Sequence, residues 1–461
     1  MDDLFAYIDQ HGPQFESDLC ELLAIASVSA DSKFHGEVRR AAQWVAEYMR
    51  RMGLATELIE TIGHPLVYAE TPDVPGAPTV LVYGHYDVQP PDPLDQWITP
   101  PFEPTKRNGN LYARGATDDK GQMFTHLASV HSWLKARGKL PVKVKFLIEG
   151  EEEWGSKGIN DYIARPAAQT KLKSDICVIS DTCQFGPGQP AITYGLRGIV
   201  GFELRLTGPK QDLHSGTFGG AVTNPVNALC MMLAAIRGDD GRLQIPGFYD
   251  DVLPLTDRER QQLAKLRFSE DNFQQQLGIS GLSGEAGFTT LERRWARPTF
   301  DINGIYGGYQ GEGGKTIIPA KAVAKFTFRL VPRQEPDKIA KALEQFLWSL
   351  CPPGIKMELV HQHGAQGVVV PLESPYVAAA SRAIERGFGK APVFIREGGS
   401  IPIVTAFAKK LSLDTLLLGW GLDDDNTHSP NEKFNLADFH RGIKSSAALW
   451  EELGKPSLAG S

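Results

Sequence analysis

Apolar positions along this chain change their period from segment to segment, and those changes predict its elements. Residues 37–52 place Val38, Ala41, Ala42, Val45, Met49 and Met52 at helical spacing, with Gly53 suited to the C-terminal turn. A strand-like stretch at Leu66–Ala69 and an apolar run at Thr79–Tyr83 follow, separated by a Pro-rich turn at 72–78. Residues 121–137 read as a helix with Met123, Phe124, Leu127, Val130 and Leu134 on one face, closed by Gly138, and 142–148 returns to strand. Strand, helix and strand in this order imply right-handed crossovers and a largely parallel sheet with helices on its faces.

After the apolar run Ile176–Ile179 the texture changes. Residues 199–207 alternate apolar and polar as a half-exposed strand does, and Asn224-Pro225 opens a helix in the favoured cap and first-turn positions. Strand patterns recur at 299–306 and 322–331, a helix at 335–350 and a strand at 355–361, the β-α-β-β-α-β order of a small ferredoxin-like α+β domain. A long charged insertion, 238–298, interrupts it. From about 374 the α/β texture returns, with the helix YVAAASRAIERGF, the Gly-rich turn Glu397–Ser400 and a strand at 413–418. The expected map is a larger α/β domain in two parts, 1–195 and 371–461, with a smaller domain, 196–370, inserted.

Composition fits this picture: 461 residues exceed one compact core, and 42% hydrophobic with 22% charged residues is ordinary for a globular chain. A formal charge of -7 with no Lys/Arg block argues against a nucleic-acid surface. Neither a secretory signal after the acidic Met1–Phe5 nor an apolar run of membrane-spanning length is seen. Five scattered cysteines suit a reducing compartment, so a cytoplasmic location is expected, with Cys183 an inert thiol rather than a ligand.

Candidate chemistry gathers where strands of the larger domain stop. His85 and Asp87 follow the run 79–83, and their period-two spacing puts imidazole and carboxylate on one side of the extended backbone. Glu151, Glu152 and Glu153 follow the strand ending at Ile148, Asp181 follows Ile179, and His428 lies in the loop beyond Leu418. Asp118 and Asp119 sit in a loop just before a helix. An acidic run is ordinarily a solvated face, and an Asp pair before a helix is ordinarily a cap. In an open α/β sheet, however, these positions converge on the crevice outside the carboxyl ends of the strands. So many carboxylates together call for divalent cations, and imidazole with carboxylate donors suits zinc, manganese or cobalt. Two histidines and three carboxylates fit two metals clamping a hydroxide, with a further carboxylate as general base.

The clusters GHYDVQP (84–90), YARGATDDKG (112–121), EGEEEWGS (149–156), ISDT (179–182) and NTHSPNE (426–432) resemble the M20 family of metallopeptidases, nearest its cytosolic dipeptidase and carnosinase branch. ITYGLRGI, DLHSG, KTIIPAKAVAKFTFRLVP and REGGSIP extend the resemblance through nearly the whole chain. It implies a three-layer zinc-peptidase-like catalytic domain and an inserted lid and dimerisation domain. It further implies that His85, Asp118 and Asp181 hold one metal and that Asp118, Glu153 and His428 hold the other. Glu152 matches the general base and Asp87 the acid that orients His85. The pattern Glu-Glu-x-Gly-Ser fits only 152–156, which leaves Glu151 expected to be dispensable. His214 matches a histidine inserted into the neighbouring subunit's site to stabilise the oxyanion, which implies a homodimer. Arg329 matches a residue that binds the substrate carboxylate, and Thr316, His363, Gly399 and Ser400 fall at further substrate-contacting positions. The expected activity is hydrolysis of dipeptides or short peptides. The alternative is an N-acyl amino acid amidohydrolase using the same metals, and outside catalysis a dimeric binding protein that has lost activity.

Overall fold

The computed structural model describes residues 1–455, except the side chain of His363. The chain divides into two compact units. The first comprises Met1–Tyr194, Val370–Ile395 and the chain from Ala406 onward, and the second Gly195–Val369 with Arg396–Thr405. The short segment 396–405 thus departs from the expected map, in which it belongs with the larger domain. Its anchoring explains this: Ser400 donates to the carbonyl of Arg197 at 2.5 Å and accepts from Arg329 at 3.0 Å, both in the second unit.

In the first unit the strands lie in the spatial order Ala55–Ile59, Leu66–Glu70, Lys143–Glu149, Thr79–His85, Ile176–Ile179, Thr415–Gly419 and Ala191–Leu196. The four from Lys143–Glu149 to Thr415–Gly419 are mutually parallel, and the flanking ones are antiparallel. Thr79–His85 is central, which explains its unbroken apolar run: side chains on both faces are covered. Tyr83 meets Phe407 of the helix Pro402–Leu411, while the next residue, Gly84, faces the helix Lys120–Arg137. Successive residues point to opposite faces, so helices cover both sides of the sheet and the unit is three-layered. At Gly84 a Cβ would stand 2.6 Å from Met123 Cγ and 2.8 Å from Asp119 Oδ2, so glycine is what lets the loop of Asp118 and Asp119 approach the strand end.

One element escapes the periodicity reading. Asp2–Leu23 is a 22-residue helix that packs Leu4, Ile8, Phe15, Leu19 and Leu22 into the core, although Gly12 and Pro13 interrupt it in sequence. Tertiary burial outweighs local propensity there, and Gly12 lies close to His440, where a Cβ would be 2.9 Å from its ring.

The second unit has a four-stranded antiparallel sheet in the order Thr299–Gly307, Lys321–Leu330, Gly198–Thr207, Lys356–Ala365. With the helices Pro225–Ala234 and Pro336–Leu350 this is the expected ferredoxin-like arrangement. Its core joins Phe202, Leu204, Phe326 and Phe328 from the sheet to Leu229, Leu233, Leu343 and Leu347 from the helices. The insertion 238–298 holds three short helices, Asp257–Lys265, Glu270–Leu277 and Thr290–Trp295, each opened by a Thr or Ser cap.

Candidate metal centre

The strand Thr79–His85 ends on a fully buried imidazole, and two residues on stands Asp87, also fully buried. His85 Nδ1 lies 3.1 Å from the carbonyl oxygen of Asp87 and 3.3 Å from its Oδ1. With Nδ1 engaged, Nε2 is the atom left to act. It lies 3.2 Å from Asp118 Oδ1 and 4.0 Å from Asp181 Oδ2, and it makes no hydrogen bond although buried. A buried imidazole nitrogen without a hydrogen-bond partner, facing two carboxylates, is what a metal ligand looks like.

Asp118 serves two directions at once. Its Oδ1 faces His85, while its Oδ2 lies 2.9 Å from His428 Nε2, which is also 3.4 Å from Glu153 Oε2. Two groups result, His85–Asp118–Asp181 and Asp118–Glu153–His428, each with ligand atoms within 4.8 Å of one another. All five ligands expected from the sequence are therefore brought together, with Asp118 shared. His428 reaches its place from a left-handed backbone, φ 61°, in the loop after Thr415–Gly419.

Asp87 does more than adjoin His85. It accepts the Ser29 hydroxyl at 2.6 Å and the backbone N–H groups of Glu152 and Glu153 at 3.2 and 3.1 Å. One buried carboxylate thereby locks the imidazole end of the site to the short turn that presents Glu152 and Glu153. Glu151 corrects an expectation. It is buried, accepts the N–H of Gly158 at 2.9 Å, and fills the space over Gly63, so it is a structural anchor of the next helix and not dispensable. Cys183 is half-buried and belongs to neither ligand group.

The electrostatics express a surplus of negative charge. Burial raises Asp181 well above the usual carboxylate range, and the neighbouring Asp119 and Asp118 add to it. Burial likewise pushes Glu152 up to about 8; His85 opposes this, whereas Glu153 and Asp118 reinforce it. Burial works against charge on His85, yet Asp118 and Asp87 prevail and hold it well above an ordinary histidine. Asp118 and Glu153 push His428 up to about 10. Six carboxylates, at 87, 118, 119, 152, 153 and 181, face two imidazoles, a set that divalent cations neutralise.

A residue the sequence reading passed over organises the shared ligand. Glu432, fully buried, accepts from Arg114 Nη1 at 2.7 Å and from the backbone N–H groups of Gly115, Thr117 and Asp118 at 2.8, 3.0 and 3.1 Å. It sits four residues after His428, so one loop supplies a ligand and also clamps the loop carrying Asp118. Its place inside NTHSPNE was the available signal, but its partners lie more than 300 residues away in sequence. Two histidines outside the ligand groups have structural partners: His126 is buried between the hydroxyls of Ser180 and Ser446, and His440 pairs with Glu16.

The remaining candidates belong to the second unit. His214 is exposed and pairs with Ile317 across a two-residue ladder beside Thr316, whose carbonyl accepts the N–H of Ser215 at 3.0 Å. Its Nδ1 accepts the N–H of Gly216 at 3.0 Å, which leaves Nε2 as the proton-bearing nitrogen of the neutral ring. Arg329 Nη1 donates to Ser400 Oγ at 3.0 Å, next to the exposed Gly399. His363 falls in the strand Lys356–Ala365, and its side chain lies outside the described residues.

With this geometry established, relatives identify the scaffold. The model of peptidase family M20/M25/M40 matches residues 81–452. The Cys-Gly metallodipeptidase DUG1 of Candida albicans is 35% identical, covering 98% of this chain and 97% of that protein. The crystal structure of human carnosine dipeptidase 1 superposes with a TM-score of 0.86 at 32% identity, covering 98% of each chain. The metallo-carboxypeptidase Sso-CP2 of Sulfolobus solfataricus gives 0.87 at 33%, covering 95% of this chain and 99% of its own. The motifs at the strand ends, the three-layer sheet and these full-length likenesses agree: the chain belongs to peptidase family M20/M25/M40, as a metallopeptidase of its dipeptidase branch.

Proposed function

We propose that this chain hydrolyses dipeptides or short peptides at a two-metal site, with zinc, manganese or cobalt as the native ion. The observation that carries this reading is the position of Asp118, whose two oxygens face two histidines, one ending the strand Thr79–His85 and the other on the loop after Thr415–Gly419. His85, Asp118 and Asp181 would hold one cation, and Asp118, Glu153 and His428 the other. Bound there, the cations would polarise a scissile carbonyl and acidify water.

The chain's own residues then have distinct tasks. Glu152, fixed through its backbone N–H by Asp87, takes the proton of the attacking water and returns it to the departing amine. Arg329 recognises the substrate carboxylate with a planar guanidinium, and Ser400 orients that group. Thr316, His363 and Gly399 are further substrate contacts in this proposal, carried by their positions in the sequence motifs. His214, with its proton on Nε2, serves as oxyanion donor in the partner subunit of a homodimer. A dimer is supported by the edge strand Thr299–Gly307, which exposes Ile302, Ile305 and Tyr306, and by Met231 on the helix Pro225–Ala234. Five cysteines without a disulfide support a cytoplasmic location, and no helix among the described residues is long and apolar enough to cross a membrane.

The test is a screen of Xaa-Yaa dipeptides beside N-acetyl and N-succinyl amino acids, with each metal supplied separately. Dipeptide turnover is expected; rapid turnover of the acyl compounds alone would move the chain to the amidohydrolase reading. Glu152→Gln should keep both metals and lose about 10²- to 10⁴-fold in kcat. A variant as fast as wild type on every peptide removes Glu152 from the chemistry.

A further inference from the structure

The second unit holds a cavity of about 310 Å³ whose wall carries five arginines, 197, 237, 293, 294 and 297. Two carboxylates share the wall, Glu285 and Asp301, and the buried Glu285 is already engaged. Arg297 grips it through Nε and Nη2, both at 2.7 Å, and Arg242 approaches it at 3.4 Å. Asp301 is exposed and accepts the Thr299 hydroxyl at 3.2 Å. Among the described residues, three of the guanidiniums have only neutral hydrogen-bond partners. Arg237 donates to Ser283 Oγ at 3.1 Å. Arg293 donates through Nε to the carbonyl of Glu285 at 2.9 Å. Arg197 donates to the carbonyl of Gly398 at 3.0 Å and to Arg297 O and Thr299 Oγ1, each at 3.4 Å.

These bonds fix the forks without discharging them. Each guanidinium offers five N–H donors, so most remain for a ligand on Arg237 and Arg293, which use one each. Arg293 is held further by Gly284, φ 146°, where a Cβ would stand 2.6 Å from Arg293 Cδ; only glycine lets the arginine stem lie along the backbone there. Like charges so gathered repel. Arg197 gives up its proton more readily than an ordinary arginine, at about 10, first through burial and then through Arg329, with Asp301 opposing. Three guanidiniums gathered with no carboxylate hydrogen-bonded to them among the described residues are costly in the free protein, a cost that an anion relieves.

We infer that this cavity is a binding site for a small dianionic oxyanion, of the sulfate or phosphate type, recognised by the forks of Arg237 and Arg293 with Arg197 behind them. Bidentate guanidinium pairing supplies the affinity. The ligand could arrive free or as a phosphomonoester, because the groove needs only the terminal oxygens.

The experiment is calorimetric titration of the metal-loaded enzyme with inorganic sulfate at constant ionic strength set by sodium chloride, repeated with phosphoglycerol. One saturable sulfate site per chain is expected. The double variant R237Q/R293Q should bind at least tenfold more weakly while its kcat on a dipeptide is kept, and R237K/R293K should recover part of the loss. R237Q alone, at an exposed side chain that hydrogen-bonds Ser283, should already weaken binding measurably. Tighter phosphoglycerol binding that is lost in the same variants would assign the ester as the source, and equal binding the free anion. Equal sulfate affinity in wild type and the double variant, or no saturable binding, overturns the inference. So does binding that vanishes in Asp118→Ala but survives in R237Q/R293Q, since the anion would then sit at the metals.

Discussion

The two histidines of the candidate metal centre share a carboxylate yet are built in opposite ways. His85 ends a central strand, is fully buried, and has its far nitrogen fixed by Asp87. His428 stands 56% exposed on a loop in left-handed backbone and, among the described residues, has no comparable hydrogen bond behind its ring. One half of the site is therefore set by the core of the fold, and the other by a loop at the surface. A ligand group built on the core loses little conformational freedom when a cation binds, whereas one carried on a loop must be ordered. The His85 half should bind its cation more tightly, and the His428 half should be where cations exchange and reactants enter.

The largest effect comes from removing what the halves share. Asp118→Ala should release both cations and abolish hydrolysis, because each group loses a ligand and an unneutralised set of carboxylates remains. Metal content by mass spectrometry reads this directly. The comparison predicts an asymmetry in the single variants: His428→Ala should retain about one cation per chain, while His85→Ala should leave a buried void and weaken both groups. Equal stoichiometry in the two variants would break the distinction between a core-built and a loop-built half.

A smaller effect is expected at Glu432, which joins the halves mechanically. Glu432→Gln keeps the volume but cannot accept four donors as a carboxylate does, and the loop of Asp118 loses its anchor. Metal affinity should fall by about 10- to 100-fold, as for other groups that orient ligands from behind. If only His428 mattered to the exposed half, Glu432→Gln would leave affinity unchanged in both.

These contrasts also show what could be read before the structure. Ligands at strand ends were legible because two signals, the end of an apolar run and a His, Asp or Glu immediately after it, coincide in sequence. The ferredoxin-like order was legible for the same reason, from alternation and caps. Glu432 and Glu151 were not, because their partners come from distant segments and a carboxylate that accepts backbone N–H groups has no local pattern. The helix Asp2–Leu23 was hidden by Gly12 and Pro13, which weaken the propensity that burial later overrides. The placement of 396–405 was invisible too, since it depends on Ser400 meeting Arg197 and Arg329 across some 70 to 200 residues.

The smallest expected effect tests whether the core beneath the His85 half is as rigid as the comparison requires. His126 lies under the strand Ile176–Ile179, with Nε2 2.9 Å from Ser180 Oγ and Nδ1 3.0 Å from Ser446 Oγ. Burial lowers its pKa from 6.5 to about 3, so the folded protein keeps this ring neutral where the unfolded chain protonates it. Between those values the unfolded state binds more protons, and stability must fall as pH drops from 6.5 towards 3. Urea midpoints measured across this range on wild type and His126→Asn, both stripped of metal, isolate the contribution. The variant should start less stable at pH 7, having lost one of two buried hydrogen bonds, but should lose less on acidification. Parallel pH profiles would mean that the ring is free to reach water, and the core behind Asp181 would then be softer than the contrast between the two histidines demands.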